Sequence, residues 1–209
     1  MPFTIHPDTN QRSCQLSAAE NSMATTLTLS EAVTALQQGG VIAYPTEAVW
    51  GLGCDPRQET AVHTLLNIKQ RASGKGLILV TAELNTLQDW LDLDTLSPER
   101  LHEVQASWPG PHTWVLPAST RAPYWITGHH NGLAVRISAH PLVSALCRAW
   151  NMALISTSAN VAGQSPARRR EDLDPSLLPH LAGIVDGPTG GLAQPTSIRD
   201  ARSGHILRL

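Results

Sequence analysis

Short apolar runs alternate along this chain with segments whose apolar side chains recur at helical spacing, and that alternation restricts the fold more than any other feature. An apolar run bounded by turn residues reads as a buried strand, whereas a 3.6-residue period reads as a helix with one wet face. Ser30 is the candidate N-cap of a first helix, with Ala32, Val33, Ala35 and Leu36 on its apolar side and Gly39-Gly40 closing it. Residues 41–44 form an apolar strand stopped by Pro45, and residues 57–70 form a helix packed through Ala61, Val62, Leu65, Leu66 and Ile68. A strand at 77–80 precedes helices near 83–91 and 97–106. Strands follow at 113–116, 133–137, 153–156, 183–185, 196–199 and 205–209, with a helix at 141–150. The fold class is therefore α/β, a twisted sheet flanked by helices. The late clustering of strands makes the sheet mixed parallel and antiparallel.

At 209 residues the length fits one domain with a tail, large enough to bury a core without a disulfide or metal staple. Residues 1–22 are polar and aperiodic and are expected to be a disordered tail or an over-long start, with residues 23–209 as the single domain. Cys14, Cys54 and Cys147 lie far apart with no C-x-x-C, so reduced thiols are expected rather than a disulfide framework or zinc knuckle. No apolar stretch approaches the length of a membrane span and no signal sequence opens the chain, which points to the cytoplasm. A net charge of −2 argues against nonspecific coating of nucleic acid but leaves room for a local basic groove.

Common nucleotide motifs are missing. There is no G-x-x-x-x-G-K-[ST], no G-x-S-x-G and no H-E-x-x-H, and Gly51-Leu52-Gly53 runs into Pro56 where a dinucleotide fingerprint needs a helix. His129-His130, beside Gly128, reads as an exposed loop rather than a metal site. Arg168-Arg169-Arg170 reads as a solvated loop.

Both lysines of the chain sit in the segment Lys69-Gln70-Arg71-Ala72-Ser73-Gly74-Lys75. A helix C-terminus favours cations by about 0.3–1 kcal/mol and accounts for Lys69 and Arg71, but not for Lys75 beyond a Ser-Gly turn. A polyanion cradle accounts for all three. Ser156-Thr157-Ser158-Ala159-Asn160 closes an apolar strand with short hydroxyl and amide groups, which suit either a ligand at the crevice of an α/β sheet or a turn cap. Arg136 interrupts the apolar strand LAVRIS; a cation there needs an anion partner, either a protein carboxylate or a ligand carboxylate gripped by two parallel hydrogen bonds. Hydroxyls also cluster at Tyr44-Pro45-Thr46-Glu47 and at Pro195-Thr196-Ser197.

Six stretches, in this order, resemble the YrdC-like (TsaC-type) threonylcarbamoyl-AMP synthase family, short single-domain bacterial branch: residues 41–56 (VIAYPTEAVWGLGCDP), 69–80 (KQRASGKGLILV), 108–116 (WPGPHTWVL), 133–141 (LAVRISAHP), 156–166 (STSANVAGQSP) and 195–200 (PTSIRD). The resemblance implies a mixed α/β fold with a deep basic cavity. It implies a cytoplasmic enzyme that joins L-threonine, bicarbonate and ATP into threonylcarbamoyl-adenylate with release of diphosphate. Partner proteins then transfer the threonylcarbamoyl group to tRNA; direct contact with tRNA is left open.

Carried onto this chain, Lys69, Arg71 and Lys75 would hold the triphosphate and stabilise the departing diphosphate, and Ser158, Asn160 and Arg208 would contact ATP. Arg136 would clamp the threonine carboxylate, with Thr46, Thr157, Thr196 and Ser197 lining the threonine side and Glu47 beside Thr46 at the wall. Magnesium would be held mainly by phosphates, with no protein metal site. The chain departs from the pattern at Ala48 and Trp50, where many members read Thr-Glu-Thr-Val-Tyr, and at Ala72 and Gly76, where prolines are common. The alternative reading from the residues alone is a tRNA-binding module without chemistry, using the cation cluster and Arg168–Arg170. A minor catalytic alternative is hydrolysis of an acyl-adenylate.

Overall fold

The computed structural model describes residues 24–208; the expected tail at 1–22 lies outside them. Helix α1 spans Leu29–Gln37 and is capped by Thr28, whose hydroxyl accepts from the Glu31 N–H while the Glu31 carboxylate accepts from the Thr28 N–H. That reciprocal pair moves the start two residues ahead of Ser30, which lies inside the first turn. Gly39, at φ +78°, ends the helix in the left-handed conformation that a Cβ disfavours.

Strands β1 (Ile42–Pro45) and β2 (Trp50–Gly53) form an antiparallel hairpin, with Ile42 opposite Gly53 and Pro45 opposite Trp50. The sequence reading contained no β2, because glycines weaken strands. Here Gly53 is required: a Cβ on it would sit 2.7 Å from both the Tyr44 ring and the Ile155 carbonyl oxygen. Helix α2 (Glu59–Ile68), β3 (Ile78–Thr81), α3 (Pro98–Ala106), β4 (His112–Pro117), a short α4 (Tyr124–Thr127), β5 (Gly132–Ile137), α5 (Pro141–Trp150), β6 (Leu154–Ser158), β7 (Gly183–Ile184), β8 (Ser197–Asp200) and β9 (Ile206–Arg208) follow. The helix expected near 83–91 is a 3-10 helix at Leu84–Trp90. The Thr81 and Thr86 hydroxyls both donate to the Glu83 carbonyl, competing with α-helical bonding at its start.

Among the described residues nine strands form one mixed sheet in the order β7-β1-β2-β6-β3-β5-β4-β8-β9. Alternate side chains divide its core. Ile42, Tyr44, Val80 and Leu154 face α1 and α5, burying Leu36, Leu146, Cys147 and Trp150. Their sequence neighbours Ala43, Leu79 and Ile155 face the opposite cluster, with Leu65, Leu66, Val104 and Trp114. Each fully buried large side chain contributes about 1.5–3 kcal/mol. The sheet is curled. Glu47, in the β1–β2 turn, receives a 2.6 Å hydrogen bond from Ser138 just past β5, although four strand spacings between β1 and β5 amount to about 19 Å in a flat sheet. Curling brings that turn over the hollow face.

Cys54 and Cys147 are buried free thiols, and Cys14 lies outside the described residues. Arg169 pairs with Asp172 and Glu171, and Arg170 with Asp186. His129 and His130 are exposed. Among the described residues no helix is long and apolar enough to cross a membrane.

Candidate active site

A cavity of about 720 Å³ opens on the curled face. Thr46, Arg71, Lys75, Arg136, Thr157, Ser158, Thr196 and Arg208 all line it; Lys69, Asn160 and Ser197 do not. Among the described residues, four cations share one void with a single carboxylate, Asp200, whose Oδ1 already accepts from Ser203.

The cationic segment leaves the C-terminus of α2 and turns through a 3-10 helix at Ser73–Lys75. Arg71 ties this turn down, its Nη2 donating to the Gly76 carbonyl at 2.8 Å, while its Nε is buried without a partner. Burial and the neighbouring Arg208 guanidinium hold its pKa below the ordinary arginine range. Lys75 is exposed at the mouth and has no ion pair among the described residues. Arg208 on β9 reaches in from the other wall, its own pKa lowered by burial and then by Arg136.

Lys69 corrects the expectation of a three-cation cradle. Its side chain is only 3% exposed, and its Nζ donates to the Ser158 and Asn160 carbonyls, the latter at 2.8 Å. The ammonium is therefore occupied by the protein's own backbone and holds the end of β6 against α2. Burial, and then Arg71, lower its pKa to about 8. Asn160 is likewise turned to the loop, donating to the Val161 and Gln164 carbonyls, with its Oδ1 buried and unpartnered. Ser197 is the first residue of β8 and stands beside the cavity wall rather than on it.

Arg136 shows where the second half of the site lies. Nη1 donates to the hydroxyls of Thr113 at 3.2 Å and Thr196 at 3.0 Å, and Nη2 stands 3.3 Å from Glu47 Oε2. Arg136 is 5% exposed and Glu47 6%. The protein-carboxylate partner left open by the sequence is thus present, yet the pairing is incomplete: Arg136 Nε and Glu47 Oε2 are both buried without a hydrogen bond. Nε and Nη2 form the edge of the guanidinium that can grip a carboxylate by two parallel bonds; here that edge is buried, with Nε unpaired and Nη2 facing Glu47. Thr113 and Ser138 were invisible as site residues in the sequence, since their roles depend on strands that become neighbours only through the sheet order. Thr46 donates its hydroxyl to the Val49 carbonyl at 2.7 Å, shaping the turn that carries Glu47. Ala48 and Trp50, the positions that depart from the family pattern, also line the cavity.

Among the described residues no three His, Cys, Asp or Glu side chains stand together to hold a metal ion. Asp200 alone does not make a cage, so the donor set does not fit a metal bound by protein ligands.

The family model described as "Telomere recombination" (Sua5/YciO/YrdC) matches residues 34–209. A threonylcarbamoyl-AMP synthase of Xylella fastidiosa (strain 9a5c) is 98% identical over 187 residues, covering 90% of this chain and 100% of that protein. One from Xanthomonas euvesicatoria pv. vesicatoria (strain 85-10) is 65% identical over 186 residues, covering 89% and 100%. Among solved structures, P. abyssi Sua5 complexed with L-threonine superposes with a TM-score of 0.76 at 27% identity, over 82% of this chain. The match takes in 50% of that structure's length, so this chain spans about half of it. E. coli YciO shares the fold at a TM-score of 0.73 and 23% identity, covering 86% and 87%. With a model matched from residue 34 to the end and relatives aligned along their whole length, the chain belongs to the Sua5/YciO/YrdC family.

Proposed function

We propose that this chain is a threonylcarbamoyl-AMP synthase, making threonylcarbamoyl-adenylate and diphosphate from L-threonine, bicarbonate and ATP. One observation carries the reading: Arg71, Lys75 and Arg208 share a single void with Arg136, whose Nε has no hydrogen-bond partner. A polyanion and a carboxylate can therefore meet in one cavity. The near-identity to proteins named for this activity supports it.

In this reading the threonine carboxylate binds Nε and Nη2 of Arg136, and Thr157 and Thr196 flank it. Bicarbonate takes up a proton and loses water to give CO2, which the neutral threonine amine captures as a carbamate with loss of one proton. A carbamate oxygen attacks the α-phosphorus of ATP, the bond to the bridging oxygen breaks, and diphosphate leaves with the electron pair. Arg71, Lys75 and Arg208 stabilise the negative charge that develops on the leaving group, an electrostatic role that needs no covalent nucleophile. Lys69 serves the nucleotide side indirectly, by fixing the carbonyls of Ser158 and Asn160 and hence the segment that presents the Ser158 hydroxyl. A magnesium ion, where present, would be held by phosphate oxygens, the usual manner of a cation that keeps its waters. Transfer of the threonylcarbamoyl group to tRNA falls to other proteins in this scheme.

The test is diphosphate release from ATP by the full chain with magnesium. Release should require both threonine and bicarbonate; release indifferent to either refutes the synthase. The tRNA-binding alternative is weakened by the ion pairs and backbone bonds that occupy Arg168, Arg169 and Arg170. Its signature would be tRNA affinity falling steeply with log salt.

A further inference from the structure

The connection between β7 and β8 links one edge of the sheet to the strand next to the other edge. Because the sheet is curled, residues 185–196 need not cross its full flat width; they run as a strap past the β1–β2 turn, and the end of the strap, Gln194 to Thr196, lines the cavity. Apolar burial does not hold it, since Gly190 to Pro195 are exposed. Polar pins do. The His140 ring Nε2 bonds the Pro188 carbonyl at 3.0 Å, Gly190 N–H donates to the Thr46 carbonyl at 2.9 Å, and Leu192 N–H to the Glu47 carbonyl at 3.0 Å. The last pins before the cavity come from one side chain: Arg168 donates from Nη1 to the Leu192 carbonyl at 3.2 Å and from Nη2 to the Ala193 carbonyl at 2.5 Å. The Arg168 carbonyl in turn accepts from the Thr189 hydroxyl at 3.2 Å.

Three residues beyond Ala193, Thr196 places its hydroxyl 3.0 Å from Arg136 Nη1. A chain of contacts thus runs from Arg168 through the strap to the guanidinium that faces the amino-acid end of the cavity. Arg168 itself is not on the cavity wall. We infer that Arg168 is a positioning residue for threonine: by clamping the strap it sets the placement of Thr196, and through it Arg136, without touching either substrate. The inference rests on the synthase reading. It weighs on amino-acid affinity more than on nucleotide affinity: Arg71 and Lys75 lie on a different segment and receive none of the strap's pins, and among the phosphate-side cations only Arg208 meets the strap, through a long 3.5 Å bond from Nη2 to the Thr196 carbonyl. Gly190 marks the opposite pin: a Cβ there would stand 2.9 Å from the Glu47 carbonyl oxygen and 3.1 Å from its Cα, so alanine would lift the strap from the turn.

Steady-state diphosphate release by Arg168→Ala, Arg168→Lys and Gly190→Ala tests this. Arg168→Ala should raise the KM for threonine about tenfold, leave the KM for ATP within about twofold, and leave Tm within about 4 °C of wild type. Arg168→Lys should recover part of the loss, since an ammonium replaces one bond of a planar fork. Gly190→Ala should show the same split; if it fails to fold, the Arg168 pair decides. Limited proteolysis gives a second readout: cleavage within 187–195 should be faster in Arg168→Ala and slowed by threonine but not by ATP. Equal rises in both KM values, or an unchanged threonine KM despite faster cleavage, overturn the inference. A wild-type chain without threonine-dependent diphosphate release overturns the synthase reading instead.

Discussion

Replacing Glu47 by glutamine separates the charge of this side chain from its shape. Glu47 Oε1 accepts from Ser138 at 2.6 Å, and an amide can keep a hydrogen bond there in either orientation. What is lost is the countercharge 3.3 Å from Arg136 Nη2. Breaking a buried pair by removing one partner typically costs about 3–5 kcal/mol. Arg136 keeps Thr113 and Thr196 and borders a cavity that admits water, so we expect about 2 kcal/mol here, a fall in Tm of roughly 4–8 °C for a domain of this size. Threonine should then do more for the variant than for the wild type. A carboxylate taken up on the Nε–Nη2 edge of Arg136 would lie about 5 Å from the Glu47 carboxylate, a repulsion of roughly 3 kcal/mol at an effective dielectric constant of 20. Removing it, less the loss of Arg136 alignment, leaves about 1 kcal/mol, or about fivefold tighter threonine binding. Thermal shift at matched threonine concentrations measures both quantities, with acetate as a control for the carboxylate alone. An unchanged Tm would show that the pair contributes nothing. A threonine-induced shift no larger than that of the wild type would show that the carboxylate does not land on that edge.

What the sequence makes legible follows from how local each signal is. Helix α5 is readable because Pro141 opens it and Val143, Leu146, Cys147 and Trp150 keep one apolar face. Strands β3, β5 and β6 are readable because both their faces are buried, which leaves continuous apolar runs. Strand β2 is not, because Gly53 answers to the close approach of Tyr44 and of Ile155, 102 residues further along the chain. Charge behaves in the same way. That Arg136 needs an anion is a local fact of an apolar strand. That the anion is Glu47, held by Ser138, depends on a curl bringing together groups from opposite sides of the sheet order. Lys69 shows the limit most sharply. A sequence shows three cations in seven residues, but not that one ammonium turns back to the Ser158 and Asn160 carbonyls while its neighbours face the void. Arg168 looked like part of a solvated basic run for the same reason: its acceptors are backbone carbonyls, which leave no signature in residue types.

Three further outcomes concern nucleotide binding. Lys75→Ala should raise the KM for ATP about tenfold with Tm unchanged, since Lys75 is exposed and unpaired among the described residues. Arg71→Ala should lose ATP affinity and also loosen the turn held at Gly76, so a smaller stability loss than activity loss is expected, by thermal melts beside kinetics. Lys69 links nucleotide binding to protons. Its pKa is lowered to about 8 by burial and by the Arg71 charge, so near pH 8 about half of the free protein carries it neutral. A polyanion bound beside Arg71 offsets that cationic repulsion and raises the pKa, because negative charge favours the protonated amine. ATP binding at pH 8 should therefore take up about half a proton, and near pH 6, where Lys69 is already charged, it should take up none through this group. Titration calorimetry in buffers of different ionisation enthalpy counts those protons, and Lys69→Gln should abolish the uptake at pH 8. Proton release on binding, or uptake that survives the substitution, would mean that Lys69 does not feel the phosphates.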